Sequence, residues 1–250
     1  MEQRAYRAVF FDLDGTLLPM DLDEFLASYF KRIVGYAAAH GYNAERFYQA
    51  FMNGTKAMMA QDGVVNRDAF WATFAKEYGL RNEELIQAEE LFGQFYVTLF
   101  NEIGQDVQPS QPMVRAVETL VAKGYPLVLA TMPLFPRVAV EQRLRWAGLD
   151  ASMFAHLTTY ENSTSVKPKL DYYREVLAAV GAQSEEVLMV GNNTQEDLSS
   201  MALGVDAFLL TDWLLDPISY DTSQVKHGSG EEFAAWVEQL PTCVDPLAIK

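Results

Sequence analysis

Four short stretches of the chain carry side chains whose types and spacing can do chemistry. Asp12 and Asp14 stand two residues apart at the end of the apolar run Arg7 to Leu13, followed by Gly15 and Thr16. Thr131 and Met132 close a second apolar run, Lys167 precedes a proline, and Gly191 to Asp197 reads Gly-Asn-Asn-Thr-Gln-Glu-Asp. A carboxylate can attack phosphorus and form an aspartyl-phosphate, which divides hydrolysis into two easier displacements. Asp12 is the candidate nucleophile. Side chains at i and i+2 of a strand return to one face, so Asp14 can protonate the leaving oxygen and later take a proton from water. Gly15 and Thr16 are expected to turn the chain and offer backbone N–H groups to phosphate oxygens. A phosphoryl group in transfer spreads charge over its equatorial oxygens and needs donors and cations around it. Thr131 offers a hydroxyl with the Met132 amide beside it, and Lys167 offers a fixed positive charge.

Each stretch also has a plainer use. Asp-x-Asp-Gly is a common turn, and a threonine at a strand end often satisfies backbone groups. A lysine before proline is usually solvated, and Lys169 competes with Lys167 for the assignment. The segment 192–197 can cap a helix, with Asn193 or Thr194 at the cap and Glu196 and Asp197 favouring the positive helix end.

The elements that position these residues follow from periodicity. Strands are expected near residues 7–13, 125–131, 154–160, 187–191 and 206–210, alternating after residue 109 with helices at 112–123, 136–147, 168–181 and 194–203. Such alternation implies a parallel sheet covered by helices. Between the first strand and this pattern lies an almost wholly helical block, with segments near 22–40, 44–60, 67–79 and 82–103 broken by Gly41, Gly54, Gly63 and Gly79. The fold class read is α/β: a discontinuous core of residues 1–19 and 106–212 with a helical domain, 20–105, inserted after its first strand. Residues 213–250 are a C-terminal extension with one amphipathic helix at 231–239 and no assigned role. In open parallel sheets ligands bind at the carboxyl ends of the strands, which is where all four stretches fall.

Phe10-Phe11-Asp12-Leu13-Asp14-Gly15-Thr16-Leu17 resembles the first motif of the haloacid dehalogenase (HAD) superfamily. Leu127 to Thr131 resembles its second, Val166-Lys167-Pro168 its third and Val190 to Leu198 its fourth, in the family's order. The resemblance implies a Rossmann-like core with an all-helical cap and a phosphatase using Asp12, Asp14, Thr131 and Lys167. It also implies Mg²⁺ held by Asp12, the Asp14 backbone carbonyl and the fourth motif, with Gly15, Thr16, Thr131, Met132 and Lys167 around the phosphate. The fourth motif departs from the family, which has an aspartate where this chain has Asn192; an amide carbonyl can ligate Mg²⁺ but brings no formal charge. Asp197 is the expected partner of the metal's water shell or of Lys167. Two readings follow: a phosphomonoester hydrolase acting on a small metabolite, or a catalytically weak relative that binds a phosphorylated ligand or a protein. A mutase shares the same motifs, whereas a dehalogenase has no need of Asp14 as acid and base.

With 250 residues, half of them hydrophobic, the chain can bury a full core. A net charge of −15 opposes nucleic acids and anionic membranes as partners. A single cysteine, Cys243, and an opening segment Met1 to Arg7 without an apolar leader make the reducing cytoplasm the expected compartment. No stretch reaches the roughly 20 apolar residues of a membrane span. Phe25, Tyr29, Phe47, Phe70 and Trp71 recur at helical spacing and are expected to be core. His40, His156 and His227 lack metal-ligand spacing.

Overall fold

Ala8 to Phe11 is buried on both faces and forms β1, the near-continuous apolar reading that parallel strands require. The computed structural model describes residues 5–249, so the reading of residues 1–4 lies outside the described residues. β1 is joined by β2 (Leu127–Leu129), β3 (His156–Leu157), β4 (Val187–Gly191), β5 (Asp206–Leu210) and β6 (Lys226–Gly228). All pairings are parallel, in the order β3-β2-β1-β4-β5-β6. The order reverses between β2–β1 and β1–β4, which opens a crevice beside the end of β1.

Four helices separate β1 from the rest of the sheet: α1 (Leu22–Ala39), α2 (Ala44–Ala60), α3 (Asn66–Tyr78) and α4 (Asn82–Thr98). Helical spacing of their aromatics makes a shared core. Phe47 and Phe74 are fully buried and Phe47 lies 4.9 Å from Phe92, ring centre to ring centre. Truncating either buried ring to alanine costs about 3–5 kcal/mol in such surroundings. This core continues into the sheet layer, because Phe25 and Tyr29 of α1 pack on Phe135 at 5.9 and 5.2 Å.

Beyond them run α5 (Gln111–Ala122), α6 (Arg137–Trp146), α7 (Leu170–Val180) and α8 (Gly230–Gln239). Val9 and Phe11 of β1 join the cluster holding α5, α6 and α8, while Ala8 and Phe10 join the one holding α7. The sheet is thus covered on both faces.

Three sequence expectations change. The expected helix at 194–203 is a turn followed by a 3-10 helix, Leu198–Leu203, because Asn193 turns the chain by accepting from the Gln195 and Glu196 N–H groups. The fourth helix of the block ends at Thr98 and passes into a 3-10 turn, Phe100–Gly104. The tail adds a strand to the sheet, β6, and packs α8 onto it and onto α5. No helix among the described residues is long and apolar enough to cross a membrane.

The loop between α2 and α3 is sewn to the sheet layer. Gly63, Asn66 and Arg67 donate backbone N–H groups to the carbonyls of Thr164, Ser163 and Tyr160. The buried Asn66 amide donates to Pro133 and Ser165 carbonyls at 3.1 and 3.3 Å.

Candidate active site

The ends of β1, β2 and β4, with the loop after β3, bring the sequence-predicted residues together. Asp12 follows β1, and its N–H is held by the Val190 carbonyl at 2.9 Å. Lys167 is fully buried and donates to Asp12 Oδ1 at 2.8 Å and to Asp197 Oδ1 at 2.6 Å. Burial alone would lower the lysine's pKa; the carboxylates of Asp12 and Asp197 outweigh it and hold the ammonium well above its usual range. Burial raises the Asp197 carboxyl above its usual range despite the lysine. Asp197 thus stands as the hydrogen-bonded partner of Lys167. Its second oxygen accepts from the Asn193 N–H at 2.9 Å. A Cβ at Gly191 would stand 2.1 Å from Asp197 Oδ2, so only glycine leaves room for this arrangement. Lys169 is elsewhere, tied to Asp62 and the Gln61 carbonyl.

Thr131 ends the β2 segment with its Oγ1 buried and without a protein partner. Its carbonyl is fixed from two sides, by Thr158 Oγ1 and the Tyr172 hydroxyl, each at 2.8 Å. Met132 follows, half-buried, its carbonyl accepting from the Leu134 N–H at 2.9 Å.

The expectation for Gly15 and Thr16 needs correction. The Gly15 N–H donates to the Leu18 carbonyl at 2.8 Å and the Thr16 N–H to the Leu13 carbonyl at 3.2 Å. The tight turn after β1 consumes both amides, so neither points at a phosphate. Thr16 instead contributes its hydroxyl, which donates to Asn192 Oδ1 at 3.1 Å and lies 3.4 Å from Asp12 Oδ2. Gly15, at φ +75°, lets the Asn192 amide approach: a Cβ there would sit 2.2 Å from Nδ2. That nitrogen donates to the Trp213 carbonyl at 2.6 Å.

Asp14 faces a residue that motif reading missed. Arg143, on α6 and buried, donates from Nη2 to Asp14 Oδ2 at 2.5 Å. Burial raises the Asp14 carboxyl above its ordinary pKa, the arginine pulls it down, and the charge of Asp12 pushes it up again. One signal was present. Ala139, Val140 and Leu144 mark the buried face of α6, and Arg143 falls on that face. A cleft opens beside Asp14 and Asn192, walled by Met20, Leu22, Trp213 and Leu215.

Oxygen donors for a cation are Asp12 Oδ2 and Asn192 Oδ1, which share the Thr16 hydroxyl. Among the described residues, no three His, Cys, Asp or Glu side chains gather to hold a metal by themselves. An all-oxygen set with one carboxylate fits Mg²⁺, which keeps waters and shares its shell with substrate phosphates, and does not suit a softer metal.

Comparison with known proteins agrees with this geometry. Residues 6–203 match the family model described as haloacid dehalogenase-like hydrolase. The chain is 26% identical over 212 residues to pyrophosphatase PpaX of Bacillus cereus, covering 85% of this chain and 86% of that one. It is 29% identical over 99 residues to PpaX of Halalkalibacterium halodurans; that match spans 40% of this chain and 45% of the relative. In structure it is similar to a HAD phosphatase from Thermococcus onnurineus, with a TM-score of 0.57, 17% identity, and coverage of 94% of this chain and 99% of that one. The chain belongs to the haloacid dehalogenase-like hydrolases.

Proposed function

We propose that this hydrolase cleaves phosphomonoesters of small phosphorylated metabolites through an aspartyl-phosphate on Asp12, with Mg²⁺ as cofactor. The observation that carries the reading is Lys167, buried between the carboxylates of Asp12 and Asp197 beside the unpartnered hydroxyl of Thr131. A binding protein has no need of a nucleophile held this way. The pyrophosphatase name of its relatives supports phosphoryl chemistry.

In the first displacement an Asp12 oxygen forms a bond to phosphorus while the bond from phosphorus to the ester oxygen breaks. Asp14 gives its proton to the departing oxygen. Its Oδ2 is occupied by Arg143 and its Oδ1 has no protein partner, so Oδ1 is the atom that carries the proton. In the second displacement Asp14 takes a proton from water as that water attacks phosphorus, and the bond from phosphorus to Asp12 breaks, releasing phosphate. Lys167 and the Thr131 hydroxyl meet the charge on the equatorial oxygens. Mg²⁺, held by Asp12, the Asp14 carbonyl and Asn192 Oδ1, supplies further positive charge there when bound. Residues 20–105 act as the cap, presenting α1 to the site, and residues 1–19 with 106–212 form the core to which the tail is added.

Steady-state hydrolysis of p-nitrophenyl phosphate and a panel of phosphorylated metabolites, with and without Mg²⁺, tests the reading. Turnover is expected only with the metal, and Asp12→Asn should lose at least about 1,000-fold in kcat. Unchanged turnover in folded Asp12→Asn protein would sink the mechanism.

A further inference from the structure

Asn66 is the first residue of α3 and fully buried, yet its side chain does nothing for the helix it begins. An asparagine at a helix start ordinarily caps it. Here the cap position belongs to Val65, which makes no side-chain hydrogen bond. The Asn66 amide is turned the other way, out of the helical block. Its nitrogen donates to carbonyls of two different loops, Pro133 at 3.1 Å and Ser165 at 3.3 Å, one for each hydrogen. Its oxygen accepts from Gln61 Nε2 at 3.2 Å, and its backbone N–H donates to the Ser163 carbonyl at 2.9 Å. A buried amide with every donor and acceptor engaged has one orientation.

The two carbonyls stand beside the chemistry. Pro133 is the second residue after Thr131, and Ser165 the second before Lys167. The Thr131 hydroxyl is buried without a protein partner, and Lys167 Nζ is held between Asp12 and Asp197. These loops also touch at their bases, where Thr158 Oγ1 donates to the Thr131 carbonyl at 2.8 Å. Asn66 joins them further along, and it does so from another layer of the molecule. Groups that meet a transition state tolerate little displacement: an error of about 1 Å can cost roughly 100-fold in rate.

We propose that Asn66 is a positioning residue for the hydrolysis: its amide fixes the spacing between the loops that carry Thr131 and Lys167, the pair that meets the phosphoryl oxygens. This rests on the phosphohydrolase reading above. It gives the helical block a part in the chemistry through two hydrogen bonds to the core, without contact with the substrate.

The test compares Asn66→Ala with Phe74→Leu, whose ring packs within the helical block on Phe47 and Phe70. With p-nitrophenyl phosphate and Mg²⁺, kcat of Asn66→Ala is expected to fall by about tenfold or more while KM changes by less than about threefold. Inhibition by orthovanadate, a mimic of five-coordinate phosphorus, should weaken by a similar factor. Phe74→Leu should lower the urea midpoint and leave kcat within about twofold of the wild type. An unchanged kcat in Asn66→Ala, a change confined to KM, or an equal fall in both variants would overturn the proposal and leave Asn66 as a stabilising joint. Should Asn66→Ala not fold, Asn66→Ser takes its place with the same outcomes, since one hydroxyl hydrogen cannot serve two carbonyls. Failure of the phosphohydrolase reading looks different: the wild type turns over no substrate. The positioning of Lys167 is then read from the nitrogen NMR signal of its buried ammonium, which should shift or broaden in Asn66→Ala and not in Phe74→Leu; a signal unmoved in Asn66→Ala overturns the proposal.

Discussion

The side-chain amide of Asn192 donates to the backbone carbonyl of Trp213 at 2.6 Å, which fixes the orientation of the amide and turns its oxygen toward Thr16. An aspartate, the family's usual residue here, has no hydrogen to give that carbonyl. The departure from the motif and the path of the 211–221 loop are therefore one structural fact.

Asn192→Asp should separate stability from metal binding. Two acceptors would face each other where a hydrogen bond stood, costing about 1–3 kcal/mol. The added formal charge beside Asp12 should lower the Mg²⁺ concentration for half-maximal activity by about threefold or more. Urea midpoints and Mg²⁺ titrations read the two effects; unchanged metal dependence would remove Asn192 from the metal's surroundings.

Lys167→Met should be among the most damaging substitutions in the molecule. It leaves the carboxylates of Asp12 and Asp197 buried without their cation, a change worth about 3–5 kcal/mol. Loss of turnover should accompany a lowered urea midpoint. Asp197→Asn keeps one partner for the lysine and should cost less.

Glu196 makes stability depend on pH near neutrality. Burial raises its pKa to about 7 against an ordinary value of 4.5. The folded state holds this proton where the unfolded chain has released it, so the group's contribution is complete below about 4.5 and is lost as pH rises through about 7. Glu196→Gln should match the wild type at pH 4.5 and exceed it at pH 8, measured by urea midpoints. Parallel profiles at both pH values would show that Glu196 titrates normally.

Asn66→Ala should loosen the joint between the helical block and the sheet layer. Two carbonyls, of Pro133 and Ser165, lose a donor, at a cost of about 1–3 kcal/mol. Hydrogen exchange of the backbone amides of Gly63, Asn66 and Arg67 should accelerate before any other part of the chain. Exchange no faster than in the wild type would show that the backbone hydrogen bonds alone hold the joint.

Much of this was readable in the sequence where the signal was long or positional. The helices of the 20–105 block span several turns, so apolar periodicity fixed them to within a few residues. Asp12 and Thr131 were singled out because apolar runs mark the ends of parallel strands, and Lys167, well past β3, by its pairing with Pro168. Arg143 was not, since an arginine on a buried helix face declares itself only when its partner, Asp14, is known to face it. Lys226 to Gly228 has no apolar run and became a strand only because β5 offered an edge. The Gly15 and Thr16 amides were misread because their acceptors, the carbonyls of Leu18 and Leu13, depend on how tightly the turn closes.

Besides the chain connections at its ends, the helical block is tied to the sheet layer at a second place, the seam at residues 61–67, by a row of backbone hydrogen bonds. The cleft between Met20 and Trp213 opens beside Asp14 and Asn192. The aromatic wall of that cleft, Trp213, comes from the segment that follows β5.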